Sequence, residues 1–427
     1  MLHFIRSLCI LALFSFVALA QEPNWNQFRG PNSVNHSFST GITTSWSDGG
    51  PKELWRITTL GGGFSNLCFY GDTMYTLGDH DDTCYLIAMT SATGEELWKT
   101  RLAKSGDGGG GHVGPFATPA CDGETVYVYG QFGDFAAFDA KDGKERWRKN
   151  VPSELGGKKM SGWGFSPSPI IDGDKVLLAV GGDGGTLAAF DKTGKLLWRS
   201  ESIKDPVAYT SVVPVTIEGV KQYMLLTGSN VAGISPTDGK ILWQAEFPGR
   251  TAVCSDPVLS GDVVMAGCGY GVGAVFYRIS KESDNFKISD FKADSALLSH
   301  HGGIVEANGY FYLLSDRKGL VCIEAKTGNI VWENQSVGKG SLTYVDGKLI
   351  LRHEGGGGGG RRGGGGGGGT ENNGTIALVE ATPTGYKELG KFNQPSRSNL
   401  NSWTYPVVVN KKLYIRDQGL LLCYELN

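Results

Sequence analysis

The sequence predicts an all-β chain: an eight-bladed β-propeller of four-stranded antiparallel blades, closed by an N-terminal strand around Trp55. Three observations carry that prediction. A turn followed by a tryptophan recurs, most cleanly as Asp191-Lys192-Thr193-Gly194-Lys195-Leu196-Leu197-Trp198. The endings at Trp55, Trp98, Trp147, Trp198 and Trp243 are 43, 49, 51 and 45 residues apart, the period of one four-stranded blade. Finally, the C-terminal unit stops one strand short, while Leu54-Trp55 is an ending without a unit.

Taken in order, the chain opens with His3 and Arg6, an apolar run from Leu8 to Val17 and the small-x-small Ala18-Leu19-Ala20, which reads as a signal peptide over residues 1–20. Cys9 lies inside the apolar run, so a lipoprotein cysteine is not expected at the cleavage point. The mature chain is expected to be periplasmic or secreted, with no later segment long enough to span a bilayer. Residues 21–50 form a lead-in with Trp25-Asn26-Gln27-Phe28-Arg29-Gly30-Pro31 and without strand patterning.

Residues 51–427 read as one propeller. In the third unit, Ile170-Ile171, Val176 to Val180, Thr186 to Phe190 and Leu196 to Trp198 are short apolar runs separated by Asp-Gly, Gly-Gly and Thr-Gly turns, the form of consecutive hairpins. Such strands are called A to D here. Trp332 follows Trp243 by 89 residues, two steps, with a degenerate ending at Phe286 between them and another at 389–392. Pairing the lone Leu54-Trp55 strand with the eighth unit closes the ring and removes an open sheet edge. Trp55, Trp98, Trp147, Trp198, Trp243 and Trp332 are therefore assigned to packing between blades. Within the seventh unit, residues 355–369 hold 13 glycines interrupted by Arg361 and Arg362, a composition that predicts a disordered insertion.

Composition excludes several functions. With 40 basic and 43 acidic residues the formal charge is −3, so no field favours nucleic acid. The seven cysteines after residue 20 are widely and irregularly spaced, which is neither a disulfide framework nor a zinc pattern. G-x-S-x-G, H-E-x-x-H and phosphate-loop motifs are absent from the sequence.

The motif ending at Trp198 and its copies resemble the pyrroloquinoline-quinone-like (PQQ-like) propeller repeat, over most of the chain from Trp55 onward. That family includes quinoprotein dehydrogenases and the propeller of the outer-membrane β-barrel assembly machinery. In its dehydrogenases the resemblance implies a disulfide between adjacent cysteines over the quinone, a calcium ion and an aspartate base. No two cysteines are neighbours in this sequence. The assembly relative implies a partner protein bound through loops.

In such a ring the D-to-A and B-to-C connections share one face, opposite the short regular turns, and binding is expected there. His112, Trp163, Arg250, the pair His300-His301 and Trp403 precede A strands and are the candidate ligand-binding residues, with Phe165 and Tyr209 nearby. If they lie on a strand, His300 and His301 point to opposite sides, so only one would reach the channel. Asp79-His80-Asp81-Asp82, in a B-to-C loop, offers oxygen and nitrogen ligands for calcium or zinc. The expectation is a monomeric, non-enzymatic binding or scaffolding propeller without a cofactor, taking a protein partner or a small polar or glycan ligand at the long-loop face. The alternatives are a PQQ-dependent oxidoreductase holding quinone and calcium, and a carbohydrate-binding propeller.

Overall fold

The computed structural model describes residues 24–107, 111–335, 337–355, 374–398 and 400–427. The signal peptide and all but the first residue of the polyglycine stretch lie outside them. Eight four-stranded antiparallel meanders form a ring: blades 1 to 7 span residues 68–104, 120–150, 170–199, 213–246, 258–294, 304–334 and 340–393. Blade 8 combines Val407–Val409, Lys412–Asp417 and Leu420–Glu425 with the strand Glu53–Ile57. Trp55 pairs with Cys423 and Ile57 with Leu421, so the predicted closure by an N-terminal strand is present.

The register explains the motif. Each closing tryptophan stands opposite a small residue of the neighbouring C strand: Trp98 opposite Ala88, Trp147 opposite Ala137, Trp198 opposite Ala189, Trp243 opposite Gly233, Trp332 opposite Cys322 and Trp55 opposite Cys423. For Trp55, Trp98, Trp147 and Trp198 the indole then leans on the next blade, where the turn glycine leaves room for it. A Cβ on Gly194 would sit 2.7 Å from Trp147, and one on Gly143 would sit 2.6 Å from Trp98. Trp147 Nε1 also donates to the Lys192 carbonyl at 2.9 Å, and Trp332 Nε1 to that of Thr382 at 3.0 Å. The motif is thus one joint, with the glycine on one blade and the tryptophan on the blade before it.

Two joints differ from expectation. In blade 5 the position opposite the C strand is Lys292, which pairs with Phe276, whereas Phe286 pairs with Lys281 near the hairpin tip. Lys292 lays its stem on Gly328 and donates to the Gly328 carbonyl at 2.6 Å, so an aliphatic stem and an ammonium replace the indole and its N–H. In blade 7 the position is Gly390, and Trp46 from the lead-in fills the space, against Phe392 at a centroid distance of 5.5 Å.

The lead-in, predicted only to lack strands, crosses the mouth of the channel on the short-turn face and touches the A strands of blade after blade. Trp25 and Asn26 carbonyls accept from Phe69 and Cys121, Gln27 Oε1 accepts from the Ile171 amide at 2.9 Å, and His36-Ser37 adds a parallel strand beside Tyr344-Val345. Arg29, 1% exposed, reaches Asp256 at 3.3 Å and the Ile304 carbonyl at 2.6 Å.

Candidate functional site

Two residues before the A strands of blades 1 to 5 the chain places a short polar side chain that ties one blade to the next. The Asn66 amide donates to Thr118 Oγ1 at 3.1 Å, that of Thr118 to Ser168 Oγ at 2.9 Å, that of Ser168 to Ser211 Oγ at 2.9 Å and that of Ser211 to Asp256 Oδ1 at 2.7 Å. Asn66 Nδ2 extends the series to blade 8 at the Tyr405 carbonyl, 3.3 Å away. This girdle separates the plugged mouth from the other one.

Above the girdle lies a cavity of about 280 Å³. Its wall is built largely from residues four positions before the A strands: Phe64, Phe116, Tyr209, Cys254, His300 and Trp403. Phe28 from the lead-in and Tyr405 form the floor, edge to face at 5.7 Å. One side is a continuous pile of rings. His300 stacks on His301 at 3.9 Å, His301 on Trp403 at 4.1 Å, Trp403 on Phe64 at 4.4 Å and Phe64 on Phe116 at 5.3 Å. His112 meets both Phe64 and Trp403 edge-on, while Trp163 and Tyr209 line the opposite side, edge to face at 6.1 Å.

Of the sequence candidates, the cavity gathers His112, Trp163, His300, His301 and Trp403, with Tyr209. Arg250 stands apart, its side chain exposed outside the lining and its carbonyl facing the Cys268 thiol. Phe165 is buried in the core between blades 2 and 3. Both histidines of the pair reach the cavity because residues 300–302 form a bend ahead of the strand that begins at Ile304, so strand alternation does not govern them.

The calcium or zinc candidates Asp79 to Asp82 occupy a strand end and its turn. Asp79 and His80 end one strand and Asp81-Asp82 make the tight turn to Thr83, so alternation sends the first two to opposite sides. Asp79 is buried and bonded to Ser105 Oγ, whereas His80 meets Tyr85 edge-on at 5.8 Å. Among the described residues no three His, Cys, Asp or Glu side chains gather as a metal site.

Charged partners missed by the sequence reading stand at the histidine end. Lys339 Nζ lies 2.9 Å from both Glu354 Oε1 and His300 Nδ1, and Asp316 lies 3.6 Å from His300. Burial, with His301 and Lys339 beside it, holds His300 far below the usual imidazole range, so Nδ1 accepts from Lys339 and Nε2 carries the proton. Burial also lowers His301 and raises Asp316 to about 6. Burial would raise Glu354 too, but His301 and Lys339 together hold it below the usual value. The hairpin register could have revealed this pair: Gly340 faces His353, so residues 339 and 354 flank its open end.

Fold and cavity define a propeller with one sealed mouth and one ring-lined, charged mouth. The family model described as outer membrane protein assembly factor BamB matches residues 82–292 and 278–362, more than half of the chain, which belongs to this PQQ-like propeller family. A curated BamB from Nitrosomonas eutropha is 26% identical over 189 residues, 44% of this chain and 40% of that protein, so the match spans less than half of the relative's length. The crystal structure of BamB from Moraxella catarrhalis is similar in fold at TM-score 0.59 and 15% identity, over 88% of this chain and 99% of that one. Quinohemoprotein alcohol dehydrogenase ADHIIG from Pseudomonas putida HK5 reaches TM-score 0.64 at 13% identity, over 95% of this chain and 80% of that one. Among the described residues no helix is long and apolar enough to cross a membrane.

Proposed function

We propose that the chain is an exported, non-enzymatic binding propeller that engages a protein partner at its long-loop face, with a partner side chain or a small ligand seated in the cavity. The observation that carries this reading is the contrast in lining: a cavity of about 280 Å³ walled by stacked rings over a floor sealed by Phe28. Such a pocket suits an anchor residue of a docking surface, which gains most where it is fully desolvated. The family's assembly-factor description favours a protein as the source of that anchor.

The quinone alternative meets a donor set that does not suit it. A planar polycarboxylate with calcium needs several cationic donors for its carboxylates and several oxygen ligands for the ion. The lining offers Lys339, already held by Glu354, and one carboxylate, Glu354 itself. For the carbohydrate alternative Trp403 offers no open indole face, since it sits between His301 and Phe64, and stacking would fall to Trp163.

A photo-crosslinking residue at position 163, in cells exporting the full chain, tests the proposal against the same residue at the outer-rim position 197. A discrete protein adduct from 163 alone is the expected result. Dye-linked alcohol oxidation on adding pyrroloquinoline quinone and calcium, lost in Trp403→Ala, would overturn it.

A further inference from the structure

The polar atoms of the cavity say which ligand chemistry they lack. Lys339, the lining cation, is committed: its ammonium reaches Glu354 Oε1 and His300 Nδ1, each at 2.9 Å, with Asp316 at 4.0 Å. Glu354 Oε2 and Asp316 Oδ1 are buried without a hydrogen-bond partner, and His301 Nδ1 stands 3.7 Å from the former, beyond hydrogen-bond reach. Two carboxylates therefore surround one ammonium, and one acceptor on the cavity wall is left open. A buried acceptor without a donor is costly, and an incoming cationic donor relieves that cost.

The remaining lining agrees in chemistry. Trp163, Tyr209 and Tyr270 add ring surface on the sides the stacked pile does not occupy, and the negative face of an aromatic ring attracts a desolvated cation. An anion entering here would meet Glu354, backed by Asp316, with no uncommitted lysine or arginine in the lining. Two further orphaned groups, His300 Nε2 and Trp403 Nε1, are donors, and a carbonyl beside the cation would satisfy them.

Resting on the reading of this cavity as the binding site, we propose that it takes an organic cation, a guanidinium or ammonium group on a short apolar stem bearing a carbonyl, against Glu354. Asp316 supports the charge from behind Lys339 and His300, with Arg317 next to it in sequence as a further cation.

Calorimetry on the full chain tests this with N-acetyl-arginine amide, its neutral isostere N-acetyl-citrulline amide, agmatine and benzoate. The arginine amide is expected to bind at least tenfold more tightly than the citrulline amide. Glu354→Gln is expected to remove at least tenfold of that affinity, and binding should weaken as the pH falls from 7.5 to 5 and Asp316 protonates. Trp163→Leu provides a second variant that leaves the carboxylates untouched and is also expected to weaken binding. Agmatine binding as well as the arginine amide assigns the cation to a free small molecule, whereas preference for the amide assigns it to a side chain of a protein. Equal binding of the arginine and citrulline amides, or no effect of Glu354→Gln in a folded protein, overturns the inference. If benzoate alone binds, and Trp403→Ala abolishes that binding, the cation fails while the cavity reading stands. If no probe binds and position 163 gives no adduct, both fall.

Discussion

The two mouths of the central channel are built from the same strands and treat polar groups differently. On the short-turn side Arg29 and Asp256 are both 1% exposed and form an ion pair, and Asp256 also accepts from the Ser211 amide, although Arg29 Nε is left without a partner. On the long-loop side Glu354, Asp316, His300 and Trp403 each keep a buried polar atom without a partner. The first arrangement spends its polar groups on holding the ring. The second leaves buried polar atoms unsatisfied, at a cost to stability that the proposed ligand would relieve.

That contrast can be broken most severely at the plug. Arg29→Ala leaves Asp256 buried without its cation, and the loss should be about 3–5 kcal/mol, visible as a lower melting temperature. A variant that melts like the parent would show that the lead-in is an ornament on the ring.

Trp403→Ala sharpens the other side. It removes two ring stacks worth about 0.5–1.5 kcal/mol each and should lose cavity binding while the fold survives. Loss of the fold, read by far-ultraviolet circular dichroism, would mean that the ring pile is structural.

Asp316 gives a smaller effect with a definite pH signature. Its folded pKa of about 6 lies above the ordinary 3.8, so the folded state binds the proton more tightly than the unfolded chain. The group's contribution to stability is present in full below about pH 4 and is lost as the pH rises through about 6. Asp316→Asn should therefore stabilise the protein at pH 7 by about 1–2 kcal/mol, with the gain fading below pH 4. A gain that is constant with pH would remove the carboxylate's protonation from the account.

The smallest effect belongs to Arg250→Ala. Its exposed side chain should change stability by less than about 0.5 kcal/mol and leave binding unchanged.

What the sequence made legible follows its periodicity. A glycine turn and a tryptophan recur because each joint needs both, and that alone locates the ring and the closure by Trp55. Where another residue does the same work the pattern goes silent: Lys292 and the imported Trp46 complete joints that no tryptophan ending marks. The histidines and Trp403 were findable from their place before A strands. Lys339, Asp316 and Glu354 were not singled out, since a lone charge beside a strand looks solvated until the register sets it against its neighbours. The lead-in was opaque for a different reason. Arg29 and Asp256 are 227 positions apart, and nothing periodic connects them.

The strand Glu53–Ile57 has a consequence for how the ring comes into being. Its partners, Leu421 to Tyr424, follow it by more than 360 positions, and so does Leu426, whose carbonyl accepts from the Thr43 amide. A chain that emerges N-terminus first must therefore hold this strand and Arg29 waiting while the intervening blades collapse, and only the strand Leu420–Glu425 lets the circle snap shut. Loop closure over that span makes the last step slow relative to the hairpins. Until it happens, blade 8 lacks its outer strand and blade 1 lacks the Trp55 joint, two exposed β surfaces that have to be shielded from each other's copies.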